Sequence, residues 1–82
     1  SGVNMKGIEA GVEFLPGSTL FAEYKGGLCL AKMMKKRGKG NYTEYYIQYN
    51  GLKKAEEAWI STSCVYEINP QTKRLFRDLS KK

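Results

Sequence analysis

The stretch YYIQYNGLKKAEEAWI, residues 45–60, carries the strongest fold signal in this chain. It opens with three tyrosines, Ile47 and a glutamine, a composition typical of a β-strand. Asn50-Gly51 follows, and both residues tolerate the positive φ that a tight reversal needs. The chain then passes two lysines and two glutamates, where LKKAEEA predicts a short helical turn. An apolar run that begins near Trp59 predicts the next strand.

The segments around this stretch predict further strands. LCLAKMM, residues 28–34, and YTEYYIQY, residues 42–49, flank a glycine-punctuated basic loop and indicate a long β-hairpin. PGSTLFAEY at residues 16–24 and AWISTSCVYEI at residues 58–68 are also predicted as strands. Gly26-Gly27 favours a tight reversal between the first strand and the hairpin. Imperfect alternation in the last strand predicts bulges in a strongly curved sheet.

The C-terminal segment predicts a short helix. Asn69-Pro70 combines a favoured capping residue with proline at the first helical position. Leu75, Phe76 and Leu79 then fall on one side, which would pack against the sheet.

These segments predict a mostly β fold of four or five short curved strands, and we expect a small curved five-stranded barrel with a short C-terminal α-helix. Its expected organisation is a flexible lead-in over residues 1–13, possessing at most one short pairing segment, the barrel over residues 14–68 and the helix over residues 69–82.

Composition narrows the function classes. The 82 residues carry a formal charge of +6, which favours anionic partners. Two cysteines and no histidine are too few for a zinc site, so free thiols and no metal or cofactor are expected. No apolar run reaches the roughly 20 residues that a membrane helix needs. The sequence has no histidine, no glycine-rich phosphate loop and no nucleophile with a nearby base, so we expect a non-enzymatic module. We also expect the isolated domain to be a monomer.

The order of motifs resembles the chromo-barrel (Tudor-knot) domains. YYIQYNG followed by KKAEEAWI is similar to their aromatic strand, turn, acidic pair and tryptophan, and LAKM at residues 30–33 is similar to their apolar strand around an alanine. The family includes modules of MYST-type histone acetyltransferases and MRG chromatin proteins. The resemblance implies a nuclear protein that works with subunits of a chromatin-modifying complex.

In a barrel of this kind, Trp59 is expected to fill the core beneath the hairpin, together with Ile47 and Ala31. Replacing a core tryptophan by alanine typically costs about 3–5 kcal/mol. The acidic pair before Trp59 is expected to stay outside.

The resemblance also implies an aromatic cage for methylated lysine, which would attract the cation through its ring faces. Tyr49 and Tyr24 match cage positions, and Tyr46 is a candidate to rebuild the cage. Packing in the barrel is the alternative role for these rings. The chain departs from the family at three further cage positions, which hold Cys29, Leu52 and Glu56.

Basic residues indicate a second function, binding of RNA or DNA through phosphate contacts. The candidate nucleic-acid-binding residues are Lys32, Lys35, Lys36, Arg37, Lys39, Lys53 and Lys54. Tyr42, Tyr45 and Tyr46 are interleaved with them and could stack on bases. Three hypotheses follow: a nucleic-acid-binding chromatin module, a reader of methylated histone tails, and a scaffold surface for other subunits.

Overall fold

The computed structural model describes residues 13–81. Its five strands are β1 (Thr19–Tyr24), β2 (Gly27–Arg37), β3 (Glu44–Tyr49), β4 (Glu56–Ser61) and β5 (Val65–Tyr66), and its helix is α1 (Pro70–Ser80). The strands form one antiparallel sheet in the order β4-β3-β2-β1-β5. The fold class is thus confirmed as mostly β with five strands and a C-terminal helix. The sheet is curled rather than closed, since β4 and β5 lie at its two ends.

The predicted reversal between the first two strands is confirmed, one residue earlier than the glycine pair. Tyr24 pairs with Gly27, which leaves Lys25 and Gly26 as a two-residue loop. Both have positive φ, 49° and 81°, as the turn that best matches the twist of a hairpin requires. β1 and β2 therefore pair along their whole common length.

The predicted last strand, residues 58–68, is interrupted in the structure. A turn of 3-10 helix, Thr62–Cys64, separates β4 from β5. β5 can then cross to the far side of the sheet and pair with β1. The helical turn expected in LKKAEEA is wrong, because residues 50–55 form an irregular loop and β4 begins at Glu56.

One face of the curled sheet forms the main core. Leu20, Ala31, Met33 and Ile47 are almost completely buried there, and Ala58 and Ile60 of β4 pack against them. The expectation that Ala31 and Ile47 belong to the core is confirmed.

The prediction that Trp59 fills this core is wrong. Side chains alternate across a strand, and Ala58 and Ile60 occupy the inward positions of β4. Trp59 lies between them and so points to the opposite, outer face, where it is partly buried. Ala58 and Ile60, rather than the indole, are the β4 side chains that pack against the core.

Helix α1 covers part of the outer face. Asn69 caps it: the Asn69 side chain accepts from the Thr72 backbone N–H, and the Thr72 hydroxyl accepts from the Asn69 N–H. A second cluster packs beneath the helix, where the rings of Phe21 and Phe76 stack at 5.0 Å. Leu75 and Leu79 belong to it, as predicted. The helix leaves the outer face of β2, β3 and β4 uncovered near Trp59.

The N-terminal lead-in predicted over residues 1–13 lies, apart from Glu13, outside the described residues, as does Lys82 at the end of the predicted helix.

Candidate nucleic-acid interface

A group of basic and aromatic side chains crosses the outer face of β2, β3 and β4. Residues whose Cα atoms pair across antiparallel strands point to the same face. Lys35 pairs with Tyr46, and Tyr46 pairs with Trp59, so the three side chains form one line across the strands. Arg37, two residues beyond Lys35, joins them. We call Lys35, Arg37, Tyr46 and Trp59 the aromatic–cationic row.

Ring–ring and cation–π contacts connect the four side chains of the row. The Tyr46 and Trp59 rings lie with centroids 5.1 Å apart and planes tilted by 55°. The Arg37 guanidinium carbon lies 4.0 Å from the centroid of the Trp59 ring. The Lys35 ammonium lies 5.1 Å from the Tyr46 centroid and 5.7 Å from that of Trp59. Both cations are therefore within the range of a cation–π interaction.

A β-bulge in β2 places these cations on the outer face. Met33 pairs with Ile47, but the next pair is Lys35 with Tyr46, so Met34 is an extra residue. Without the bulge, strict alternation would send Lys35 and Arg37 to the same face as buried Met33. The inserted residue reverses the alternation and brings both cations beside the rings. Sequence reasoning predicted bulges in the last strand, not here, and so missed this arrangement.

Acidic neighbours orient the row. Glu44 Oε1 accepts a hydrogen bond from Arg37 Nε at 2.9 Å and is also 2.9 Å from Arg37 Nη2. Both side chains are well exposed, at 54% and 38%, so this ion pair contributes only about 0–1 kcal/mol to stability. Its effect is geometric, because it fixes the direction of the guanidinium over Trp59.

Glu57 has the same effect on Tyr46. The Tyr46 hydroxyl donates to Glu57 Oε1 at 2.9 Å, and Gln48 donates to Oε2 at 3.3 Å. This hydrogen bond is the main reason that the pKa of Tyr46 is raised. Tyr46 thus remains a neutral ring beside two cations.

The seven predicted basic residues do not share one surface. Lys32 lies on the outer face, since it pairs with Gln48. Lys36 pairs with core residue Tyr45 and so points to the other side of β2, and Lys39 lies in the loop beyond that strand. Lys53 and Lys54 lie in the β3–β4 loop. Because β2 and β3 are antiparallel, that loop is at the opposite end of the sheet from Arg37.

The predicted cage residues also divide between faces. Tyr24 and Tyr49 come together, with ring centroids 5.0 Å apart, at the inner face near the end of the sheet. Tyr46 lies on the outer face against Trp59, so the prediction that it completes a cage with them is wrong. Its neighbours Tyr45 and Tyr49 alternate inward, which sends Tyr46 outward.

The Tyr24–Tyr49 pair lies beside a carboxylate and a thiol. Glu56 accepts a hydrogen bond from the Tyr24 hydroxyl at 2.9 Å. The Cys29 thiol donates a hydrogen bond to the Asn50 carbonyl oxygen at 3.3 Å. Burial is the main cause that raises the pKa of both Cys29 and Tyr49, and the negative charge of Glu56 adds to it. Cys29 and Tyr49 are therefore neutral groups next to the exposed carboxylate of Glu56.

An open depression of about 390 Å³ borders the aromatic–cationic row. It lies where the β2–β3 loop meets the end of β4. Its lining residues are Asn41, Tyr42, Thr43, Glu44 and Ser61.

Within residues 13–81, no three potential ligands are grouped as a metal site would require. The same part of the chain contains no helix with the length and apolar character of a membrane span. No protein-family model matches this sequence, and none of the curated proteins is similar to it.

Proposed function

We propose that this chain is a non-catalytic module that binds nucleic acid, RNA or DNA, through the aromatic–cationic row. The observation that carries the proposal is the contact of two cations with two rings on a sheet face that helix α1 leaves uncovered. A nucleic-acid strand presents phosphates and bases at neighbouring positions, and this surface has a matching partner for each.

The cations supply the phosphate contacts. The formal charge of +6 attracts a polyanion. Lys32, Lys35 and Arg37 present cations on the outer face, next to the carboxylates of Glu44 and Glu57. Each phosphate that a protein neutralises releases counterions, so the affinity falls as salt rises.

The rings supply the base contacts. Base–aromatic stacking contributes about 1–3 kcal/mol per base and tolerates any sequence. Trp59 is only partly buried and has no role in the main core, so its ring can be used for binding. Tyr46 and Arg37 both contact the indole and restrict its position.

The proposed setting is chromatin in the nucleus, in a histone acetyltransferase complex. It rests on the likeness of YYIQYNG and KKAEEAWI to chromo-barrel sequences, and the observed mostly β fold is compatible with it. In that setting the module would tether its complex to nucleic acid, while catalysis would belong to another domain or subunit.

A titration with two charge-matched variants tests the proposal. Trp59 is the sole tryptophan, so quenching of its fluorescence by a short oligonucleotide reports binding at the row. In the first variant Lys35 and Arg37 become glutamate; in the second, Lys53 and Lys54 do. Each variant has a formal charge of +2, because two reversals remove four charges from +6.

The row variant should bind more weakly than the loop variant, and the slope of its log affinity against log salt should be shallower than that of the wild type by roughly 1–2. The loop variant should retain most of the affinity. Equal losses in both variants would assign binding to net charge alone. Absence of binding by the wild type at low ionic strength would refute the proposal.

The Tyr24–Tyr49 pair favours a second candidate function, capture of a methylated lysine of a histone tail. Two rings 5.0 Å apart beside Glu56 offer cation–π attraction and a counter-charge. A panel of histone peptides should then bind more tightly when trimethylated than when unmodified. Tyr24→Ala should remove the difference, whereas Trp59→Ala on the opposite face should preserve it. Equal binding of modified and unmodified peptides would exclude this function.

A further inference from the structure

The depression lined by Asn41, Tyr42, Thr43, Glu44 and Ser61 lies at one end of the aromatic–cationic row. Glu44 and Ser61 pair across β3 and β4, and Glu44 also holds Arg37. The depression therefore continues the row at the end where the strands meet the β2–β3 loop. Any strand of nucleic acid that lies along the row reaches this space next.

Its lining suits a base better than a phosphate. The Glu44 carboxylate repels phosphate but accepts hydrogen bonds from the N–H groups on the edge of a base. Both contacts with Arg37 end on Oε1, so Oε2 retains acceptor capacity. The amide side chain of Asn41 adds a donor and an acceptor, whereas the Ser61 hydroxyl already accepts from the Ser63 backbone N–H at 3.2 Å.

Tyr42 is the second feature that indicates a base. It is 87% exposed, the most exposed of the large hydrophobic residues described. Its backbone is held firmly: the Tyr42 N–H donates to the Lys39 carbonyl at 3.0 Å, within a turn of 3-10 helix. The ordered turn therefore holds the ring in a position where its face is free to stack on a nucleobase.

We infer that the depression binds one unpaired base of a single-stranded nucleic acid, stacked on Tyr42 with its N–H edge toward Glu44. The inference rests on the proposed function, because the cations of the row must hold the neighbouring phosphates. In a duplex the Watson–Crick edge of each base is paired and both of its faces are stacked. A duplex base can therefore enter the depression only at the energetic cost of unpairing and unstacking. The ligand class of the interface is therefore single-stranded RNA or DNA.

A two-by-two comparison tests this inference. The ligands are a single-stranded oligonucleotide of about eight nucleotides and an abasic strand of the same length and charge. The proteins are the wild type and Tyr42→Ala, a change at an exposed ring that should leave the fold intact. Binding is measured by fluorescence polarisation of a label on the oligonucleotide, so that the readout does not depend on Trp59.

Tyr42→Ala should weaken binding of the normal strand about tenfold and leave binding of the abasic strand within about twofold. Tyr42→Phe, which keeps the ring, should behave as the wild type. A blunt duplex should bind more weakly than the normal single strand and should not respond to Tyr42→Ala.

Different results would refute the proposed base site and the proposed nucleic-acid binding. If the wild type binds none of the three ligands at low salt, both fail. If the wild type binds but Tyr42→Ala affects normal and abasic strands equally, or affects neither, the base site is wrong and the interface remains.

Discussion

Replacement of Trp59 by alanine separates the structural role of the indole from its role in binding. On the outer face the ring contacts Tyr46, Lys35 and Arg37 rather than the main core. An aromatic pair contributes about 0.5–1.5 kcal/mol beyond burial, and an exposed cation–π contact about 0.5–1 kcal/mol. With one aromatic pair and two cation–π contacts, we expect Trp59→Ala to lower the free energy of unfolding by about 1.5–3.5 kcal/mol.

The matched control is Ile47→Ala, on the neighbouring strand. Ile47 is fully buried, and its truncation should cost about 2–5 kcal/mol through lost burial and a cavity. The two variants should also differ in function: Trp59→Ala should bind nucleic acid about tenfold more weakly. Folded Ile47→Ala should retain the wild-type affinity, since its side chain lies on the other face.

Urea denaturation followed by far-UV circular dichroism measures both stabilities, because Trp59→Ala has no indole to report unfolding by fluorescence. A loss of stability larger than that of Ile47→Ala would show that the indole supports the core. Wild-type affinity in a folded Trp59→Ala protein would refute its role in the interface.

Three further predictions concern the scaffold. In urea denaturation, Gly38→Ala should lower the free energy of unfolding by about 2–4 kcal/mol and Gly51→Ala by about 1–2 kcal/mol. Both glycines have positive φ, but of the two only Gly38 lies where a Cβ would collide with the Tyr42 carbonyl. Equal losses of stability in the two variants would contradict this. Asn69→Ala should lower the free energy of unfolding by about 1 kcal/mol through loss of the helix cap, and an unchanged melting temperature would exclude that contribution. Burial raises the pKa of Tyr49, so the folded protein holds this proton more tightly than the unfolded chain; the stability is complete below about pH 10 and falls as the pH rises through the raised pKa. The urea midpoint should therefore fall less for Tyr49→Phe than for the wild type between about pH 8 and pH 10.5, and parallel losses would refute the assignment.

Local signals made much of the fold predictable. The Asn69-Pro70 cap and the apolar side of Leu75 and Leu79 determine the helix with little help from the rest of the chain. The long hairpin and its tight partner turn at Gly26 follow from residues close in sequence. Such features depend on backbone preferences that a short segment already contains.

The site was less predictable because it depends on which face each side chain takes. A single inserted residue, Met34, moves Lys35 and Arg37 to the other face of β2, and no residue type marks that position as a bulge. Trp59 was assigned to the core by its size, whereas its actual face follows from the inward positions of Ala58 and Ile60. Both errors have the same cause. Side chains in a strand alternate between the two faces, so a shift of one residue moves every following side chain to the opposite face.

Tyr24 and Tyr49 illustrate the opposite case. They are far apart in sequence, yet the structure brings their rings to 5.0 Å; their role as a cage for methylated lysine stays a prediction. Tyr46 was added only because it is a nearby tyrosine, and its position in the strand excludes it.

The glutamates that begin β4 have a consequence for self-association. β4 lies at one end of the sheet, so the outer side of its backbone has no neighbouring strand within the described part of the chain. A strand from a second molecule could add there and start a fibril-like stack, but Glu56 and Glu57 are exposed at this border. Two carboxylates oppose such an addition by charge repulsion, and at the other border β5 is only two residues long. We therefore expect the acidic pair to disfavour aggregation through this open border of the sheet.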